Sequence, residues 1–410
     1  MKRIYLLLLC LAVMPLCLFA EDEKEDDAPK KFWIKDRTVE IGFLNMSFGL
    51  ASNFISIKDI LQDVIVIDLD DNDIKMNFDL ALSPMYFSYN RDNKWGFGFS
   101  TGVEAMGIIG LSGKMVTLSQ AVNDKSDLAG AAFANVGLNG FFTIKGFKIK
   151  VKPALYYPIA YIRPDISYTN KTTDATTLNL KYSMDVFTAF PLENFGEEAF
   201  STKSFSATMG FDLSAGVEYP LSKALGLSDK VKILDFDVGV DLINIPIVKS
   251  SMEDYMRLTG QIGKDDPMIL FGEDGDDLDD SLFNFDDAVY GKDKIKIVRP
   301  FKMLSWAEWR PFFGSRLFSV IPSAGFAINP MYVKTFSMEG GLKGRLNLAN
   351  LFILTTGVSY EDRLWKNSVD IAFNFRAFEL DLGVDMRSQN FAESWKAPGI
   401  GAQFGFKLGW

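Results

Sequence analysis

Charged side chains recur at every second position in several segments of the chain, and their type and spacing decide what chemistry is available. A row of carboxylates and amines on one face of an extended segment could set an electrostatic field for small solutes in a pore, or it could pair internally and fill space. The residues alone leave both possibilities open. The candidates for such a row are Asp79, Glu104, Lys148, Lys150, Lys152, Asp212, Glu218, Asp235, Asp237, Asp241, Asp370, Arg376, Asp381, Asp385, Arg387 and Lys407.

Histidine is absent from all 410 residues. Its absence removes the usual general base of Ser-His-Asp and Cys-His catalysis and the commonest metal ligand. Both cysteines, Cys10 and Cys17, lie in the first 20 residues, so the remainder holds no disulfide and no cysteine metal site. No motif indicates a Ser-Lys or paired-carboxylate enzyme. We therefore expect a protein that is not an enzyme and has no cofactor.

Two acidic runs, 68–75 and 273–280, contain the carboxylates that calcium prefers. The first has Asp73 where an EF-hand requires glycine and Asp79 where it requires glutamate, and the second fits no such frame. Runs of charge usually mark solvated surface. The sequence therefore favours solvated loops over metal sites in both runs.

The first 20 residues have the layout of a secretory signal peptide. Lys2 and Arg3 precede an apolar run from Ile4 to Phe19, and Ala20 is a small residue at the expected cleavage position. An acidic segment follows at 21–38. The net charge of the chain is −10, and cleavage would remove basic residues, so the charge argues against nucleic acid as a partner. We expect the protein to be exported.

Beyond the first 20 residues, apolar positions alternate with polar or small ones. Between Phe205 and Tyr219 every odd position is apolar and every even one is polar or small. This period indicates a β-strand with two different faces. Several such segments reach the about 9–11 residues that cross a bilayer, which is longer than the strands of most soluble sandwiches. The expected fold is all-β, an antiparallel up-and-down transmembrane barrel over 39–410, with a soluble sandwich as the alternative. Trp306 and Trp309 are expected at a membrane interface.

The number of strands follows from the alternation of short turns and long loops. Fifteen segments qualify as strands, and turns and loops alternate consistently when 177–190 joins an external excursion from 163 to 203. The result is about 14 strands, with 12 and 16 as alternatives. The acidic stretch 249–296 then becomes the longest external loop. Small helices are expected in the loops, an amphipathic one at 53–64 and a second beginning at 250–256.

The chain ends in "AQFGFKLGW", where Phe404, Phe406, Leu408 and Trp410 form one apolar row. Together with the signal peptide and the two-faced strands, this end resembles bacterial outer-membrane β-barrel proteins. The resemblance implies outer-membrane lipid as surroundings and the barrel-assembly machinery as the reader of that row. The chain length and strand number look like the FadL-type long-chain fatty-acid transporters, which move hydrophobic solutes. The phenylalanine-rich, acidic style is similar to outer-membrane proteins of spirochaetes.

The sequence therefore predicts an outer-membrane barrel that passes small, and in particular hydrophobic, solutes. The alternative is a structural or adhesive surface protein that acts through its external loops, chiefly 249–296.

Overall fold

The computed structural model of the chain describes residues 37–53, 74–111, 123–126, 128–163, 166–170, 180–189, 207–225, 235–262, 283–285, 288–311, 316–332, 335–396 and 398–410. All structural statements concern these residues. The predicted signal peptide, the acidic segment up to residue 36, the predicted helix beyond Asn53, and the acidic runs 68–73 and 273–280 lie outside them.

Strands make up nearly all of the described chain. They are β1 (Val39–Ser52), β2 (Ile74–Arg91), β3 (Trp95–Leu111), β4 (Asn123–Ser126), β5 (Ala129–Ile144), β6 (Phe147–Ile162), β7 (Ile166–Asn170), β8 (Leu180–Thr188), β9 (Gly210–Tyr219), β10 (Asp235–Val248), β11 (Ser250–Ile262), β12 (Phe283–Phe285), β13 (Val289–Ile297), β14 (Phe301–Arg310), β15 (Phe318–Ile328), β16 (Phe336–Leu348), β17 (Phe352–Glu361), β18 (Leu364–Asn374), β19 (Phe378–Ser388) and β20 (Gly399–Gly409). Two short helices are described, α1 (Leu221–Ala224) and α2 (Phe391–Ser394). No helix in the described ranges is long and apolar enough to cross a membrane.

Antiparallel pairing closes the main strands into a ring. Its order is β1, β2, β3, β5, β6, β9, β10, β14, β15, β16, β17, β18, β19, β20 and back to β1. The prediction of a closed barrel with 14 strands is confirmed. The excluded segment 177–190 contains β8, which lies outside the ring, as expected.

The last strand closes the barrel as the sequence predicts. Ile41 of β1 pairs with Leu408 of β20, and the backbone of Trp410 exchanges hydrogen bonds with Val39, Trp410 N donating at 3.1 Å and Trp410 O accepting at 3.2 Å. We call the end of the barrel that holds Trp410 the turn end and the opposite end the loop end. Closure leaves no unpaired strand edge in the ring, which a bilayer requires.

The outer surface of the ring is an apolar belt. Phe48, Leu138 and Val384 are 47%, 62% and 57% exposed, and no polar layer covers them. The ring of Trp309 stacks on Phe236 at 6.0 Å on this surface. Trp306 differs from the sequence expectation, because its indole points inward and its Nε1 donates to Asp241 at 2.8 Å. The two tryptophans are three residues apart, so strand alternation places them on opposite faces.

We expect Leu382→Arg to lower the free energy of unfolding by about 2–4 kcal/mol, the range for arginine at mid-depth on the lipid face of a barrel. Leu382 lies midway along β19 and is 42% exposed on the belt. Urea unfolding in liposomes, followed by tryptophan fluorescence, measures the loss. The matched control is Gln403→Arg, because Gln403 pairs with Gly383 and faces the interior at similar depth. Equal losses at the two positions would contradict the assignment of faces.

The same sheet continues beyond the loop end of the ring, and we call this part, formed by β8, β11 and β13, the extension sheet. β11 continues from β10 and pairs with β13, which leads into β14, and β8 pairs with β11 on its other side. The prediction of a helix beginning at 250–256 is wrong, because β11 spans Ser250–Ile262 as a strand. Cross-strand pairing to β13 and β8 overrides the weak capping-box signal, which lacked its usual Glu or Gln.

Candidate functional site

Charged residues on strands far apart in the ring meet inside the barrel. Arg299, which lies between β13 and β14, donates from Nε to Glu104 of β3 at 2.5 Å and from Nη1 to Asp212 of β9 at 3.1 Å. The strands β10, β9, β6 and β5 separate β14 from β3, so these bonds must cross the interior. Glu104 and Asp212 therefore point inward, and alternation carries the same face along their strands.

Two further ionic links lie at the loop end. Arg387 of β19 bonds to Asp385 and, past β20 and β1, to Asp79 of β2. Lys302 of β14 donates to Glu339 of β16 at 3.1 Å and to Asp362 at 3.0 Å, and Asp362 lies in the turn after β17. These contacts join non-adjacent strands, so ion pairs stabilise the interior at the loop end.

The turn end holds a second layer of ion pairs between neighbouring strands. Arg310 of β14 binds Asp235 and Asp237 of β10 and Glu308 of its own strand. Lys148 and Lys150 of β6 both approach Glu218 of β9. Lys407 binds Glu379 and Asp381, each at 2.7 Å. Internal pairing thus satisfies many of the charges that alternation places on this face.

Of the remaining charged residues predicted to line the interior, three lie on strands and one lies in a turn. Asp241 accepts the Trp306 bond, while Lys152 and Asp370 lie on the inward parity of β6 and β18. Arg376 differs from the expectation, because β18 ends at Asn374 and Arg376 occupies the following turn with φ 64°. Its carbonyl accepts from Arg37 Nε at 2.7 Å. A positive φ is common in such turns and ends the alternation that the sequence pattern extends by two residues.

An apolar cluster fills the interior at the loop end. Its members come from the ring, the extension sheet and one connection, and almost none of their surface is exposed: Ala131, Phe133, Tyr156, Phe187, Ala189, Met252, Ile297 and Met331. We call this set the mouth cluster. The hydroxyl of Tyr156 donates to the carbonyl of Ile297 at 3.1 Å, which satisfies its polar tip. The sequence analysis missed this cluster, although Tyr156 lies on the same parity as Lys148, Lys150 and Lys152.

The connection Asn329–Tyr332 after β15 folds into the mouth, and we call it the mouth segment. Asn329, Met331 and Tyr332 are 2%, 1% and 8% exposed. The amide Nδ2 of Asn329 lies 3.6 Å from Met106 Sδ of β3 on the opposite wall. Burial raises the pKa of the Tyr332 hydroxyl, so it stays neutral. The alternation of apolar and polar residues gave no indication that this short connection is buried.

Cavities lie beneath the mouth cluster, and two of them have several charged side chains in their lining. One of about 410 Å³ is lined by Glu104, Met106, Lys152, Arg299 and Lys302, among others. Another of about 400 Å³ lies nearer the turn end and includes Asp237, Trp306, Glu308, Ile321 and Arg345 in its lining. The interior therefore combines a buried apolar cluster at the loop end with charged residues around the space below it.

Solved structures of similar fold include hydrocarbon channels. A deltaS2S3 mutant of TodX, a monoaromatic hydrocarbon channel, is 9% identical over 92% of this chain and 91% of its own, with a TM-score of 0.50. The toluene transporter TbuX of Ralstonia pickettii is 8% identical over 94% and 92%, with a TM-score of 0.49. The toluene transporter TodX of Pseudomonas putida is 9% identical over 92% and 89%, with a TM-score of 0.45.

No protein-family model and no curated protein matches the chain. At such low identity the likeness to the TodX variant concerns the fold alone. It confirms a β-barrel fold like that of this channel, as the strand pattern predicts.

Proposed function

We propose that the protein is an outer-membrane channel that passes small hydrophobic solutes of the size of a single aromatic ring. The observation that carries the proposal is the mouth cluster, in which Phe133 and Tyr156 of the ring meet edge to face at 5.9 Å and Phe187 of β8 belongs to the same buried group. An apolar constriction opposes the passage of hydrated ions and sugars, whereas an apolar solute binds there favourably. The fold shared with a monoaromatic hydrocarbon channel supports the same solute class.

The charged rows play a supporting part in this proposal. Ion pairs such as Arg299–Asp212 and Lys407–Asp381 hold the wall in shape below the mouth. The wall they form is polar, so an apolar solute binds it weakly and is released instead of being held. No chemical step on the solute is required, and we propose that the protein is not an enzyme.

The apolar belt and the last strand support proposals on where the protein is located and how it is assembled. We propose that the turn end faces the periplasm and the extension sheet faces outward. Phe404, Phe406, Leu408 and Trp410 lie on the lipid-facing row of β20, next to β1. A row of this kind at the end of the chain suits recognition by the barrel-assembly machinery, and lipid of the outer membrane then surrounds the belt.

The experiment compares an apolar and a polar solute in the same cells. A bacterial strain lacking its own channels for these solutes carries either the barrel or an empty vector, and initial uptake of labelled toluene and of a small sugar is measured. We expect the barrel to speed toluene uptake and to leave sugar uptake nearly unchanged. Faster sugar uptake with unchanged toluene uptake would reject the hydrophobic channel in favour of a polar pore.

A second candidate function is adhesion, and the extension sheet favours it. The β11–β13 hairpin projects beyond the ring and carries exposed ion pairs such as Lys294–Glu253. Deleting residues 258–288, which lie between the paired residues Arg257 and Val289, and joining the cut ends with a short glycine linker tests this candidate and keeps Met252 and Ile297 of the mouth cluster. Lost binding to a surface partner with unchanged toluene uptake would support adhesion.

A further inference from the structure

The mouth segment is buried although the topology makes it an external connection. It joins β15 to β16 at the loop end, where connections normally run over the surface. Instead, Met331 lies within the mouth cluster and Tyr332 packs with Ile108 of β3 and Ala129 of β5. The strands β5, β6, β9, β10 and β14 separate β3 from β15, so the segment reaches across the lumen.

Polar bonds hold the segment to its own side of the barrel. The N–H of Asn329 donates to the carbonyl of Thr335 at 2.7 Å, and the N–H of Met331 donates to Asn329 Oδ1 at 3.1 Å. The guanidinium of Arg363, in the turn between β17 and β18, lies 5.0 Å from the ring centre of Tyr332. These contacts hold the segment in a compact turn.

Apart from the bond from Asn329 Nδ2 to Met106 Sδ at 3.6 Å, the contacts with the opposite wall are apolar. Met331 touches residues of the mouth cluster, and Tyr332 touches aliphatic side chains. Contacts of this kind are non-directional, so another apolar group of similar size can replace them at little cost. A thioether and a phenol ring together occupy about the space of a small aromatic molecule with a short substituent.

We propose that Met331 occupies a binding site for a small aromatic solute, formed by Phe133, Tyr156, Phe187 and Met252, and that the solute must displace Met331, and with it the neighbouring Tyr332, to enter. The proposal rests on the proposed function, because it concerns the same solute class. Beyond that function, it assigns a binding site for the solute and a side chain of the protein that competes with the solute for this site. The mouth is closed when the site holds Met331 and opens when the solute takes its place.

The labelling rate of a cysteine at position 331 tests the displacement directly. The chain beyond residue 20 has no cysteine, so Met331→Cys provides a single thiol in the mature protein. Without solute, we expect a water-soluble maleimide to label it at least about tenfold more slowly than Lys292→Cys, whose native lysine side chain is 82% exposed. Toluene should speed labelling at position 331 several-fold and leave position 292 unchanged. Fast labelling without solute, or no response to toluene, would overturn the proposal.

A cross-link provides the second test. Met106→Cys and Asn329→Cys place thiols where the native side chains approach to 3.6 Å, and a short bis-thiosulfonate reagent joins them. The control pair, Thr356→Cys and Val369→Cys, joins neighbouring strands on the outer belt. We expect bridging of the mouth pair to stop toluene uptake, a reducing agent to restore it, and the control bridge to have no effect. Uptake that continues through the bridged mouth pair would overturn the gate.

The two readouts separate the possible failures. If labelling responds to toluene but the wild-type barrel takes up none, the solute site stands and the transport function fails. If the wild-type barrel takes up toluene but labelling does not respond, transport stands and the displacement of the mouth segment fails.

Discussion

Replacing Arg299 with methionine is expected to lower the free energy of unfolding by about 3–5 kcal/mol, the usual cost of removing one partner from a buried ion pair. Arg299 is 9% exposed, and Asp212, one of its two partners, is 1% exposed. The substitution removes the bonds to Glu104 and Asp212 and leaves two carboxylates without their shared cation. Because those bonds join β3 and β9 to the start of β14, their loss should destabilise the barrel at its loop end.

Denaturant unfolding in liposomes measures this effect, with two variants for comparison. Lys294→Met removes an ion pair to Glu253 in which both side chains are largely exposed, and it should cost less than about 1 kcal/mol. Arg299→Lys keeps the charge but lacks the forked geometry that reaches two carboxylates, so its cost should lie between the other two. Similar losses for Arg299→Met and Lys294→Met would show that the interior bonds do not brace the barrel.

Deleting residues 399–410 is expected to abolish the folded barrel. The deletion removes β20, which pairs with both β1 and β19, and exposes an unpaired edge on each to lipid. Unpaired backbone groups cost several kcal/mol each in a hydrocarbon environment, so no open form is stable there. In a detergent gel, a folded barrel that has not been heated migrates faster than the unfolded chain. We expect the deletion variant to lose this fast-migrating band and to be degraded in cells.

A single substitution serves as the control for the deletion. Trp410→Phe keeps an aromatic side chain on the belt and the backbone bonds to Val39. It should give normal amounts of the fast-migrating form. A deletion variant that still migrates as a folded barrel would contradict the closing role of β20.

The barrel strands could be predicted from the sequence because the residues of each strand alternate between those that face lipid and those that face the interior. A residue on the belt must be apolar and its neighbour need not be, so alternation identifies the strand and both of its faces. Phe404, Phe406 and Leu408 illustrate this, since the same row appears on the outer face of β20. Counting turns and loops then gave the number of strands, because each crossing must reverse direction.

Contacts across the lumen could not be read in this way. The partner of Arg299 depends on how the ring closes and on where a connection between strands lies, and neither leaves a periodic trace. Trp306 was placed at the interface for a related reason, since its residue type is typical of interfaces whereas its parity points inward. Met331 was missed because alternation says nothing about residues in a connection. Parity alone could have identified Phe133 and Tyr156, had apolar residues on the inward face been sought.

The initial rate of toluene uptake by intact cells tests the central claim most directly. Apolar solutes cross a plain phospholipid bilayer unaided, so the outer membrane of a living cell is the appropriate barrier. The account predicts that cells with the barrel take up toluene faster than cells with an empty vector, and that permeabilising the outer membrane removes the difference. Equal rates in intact cells, with the barrel present in its fast-migrating form, would contradict the claim.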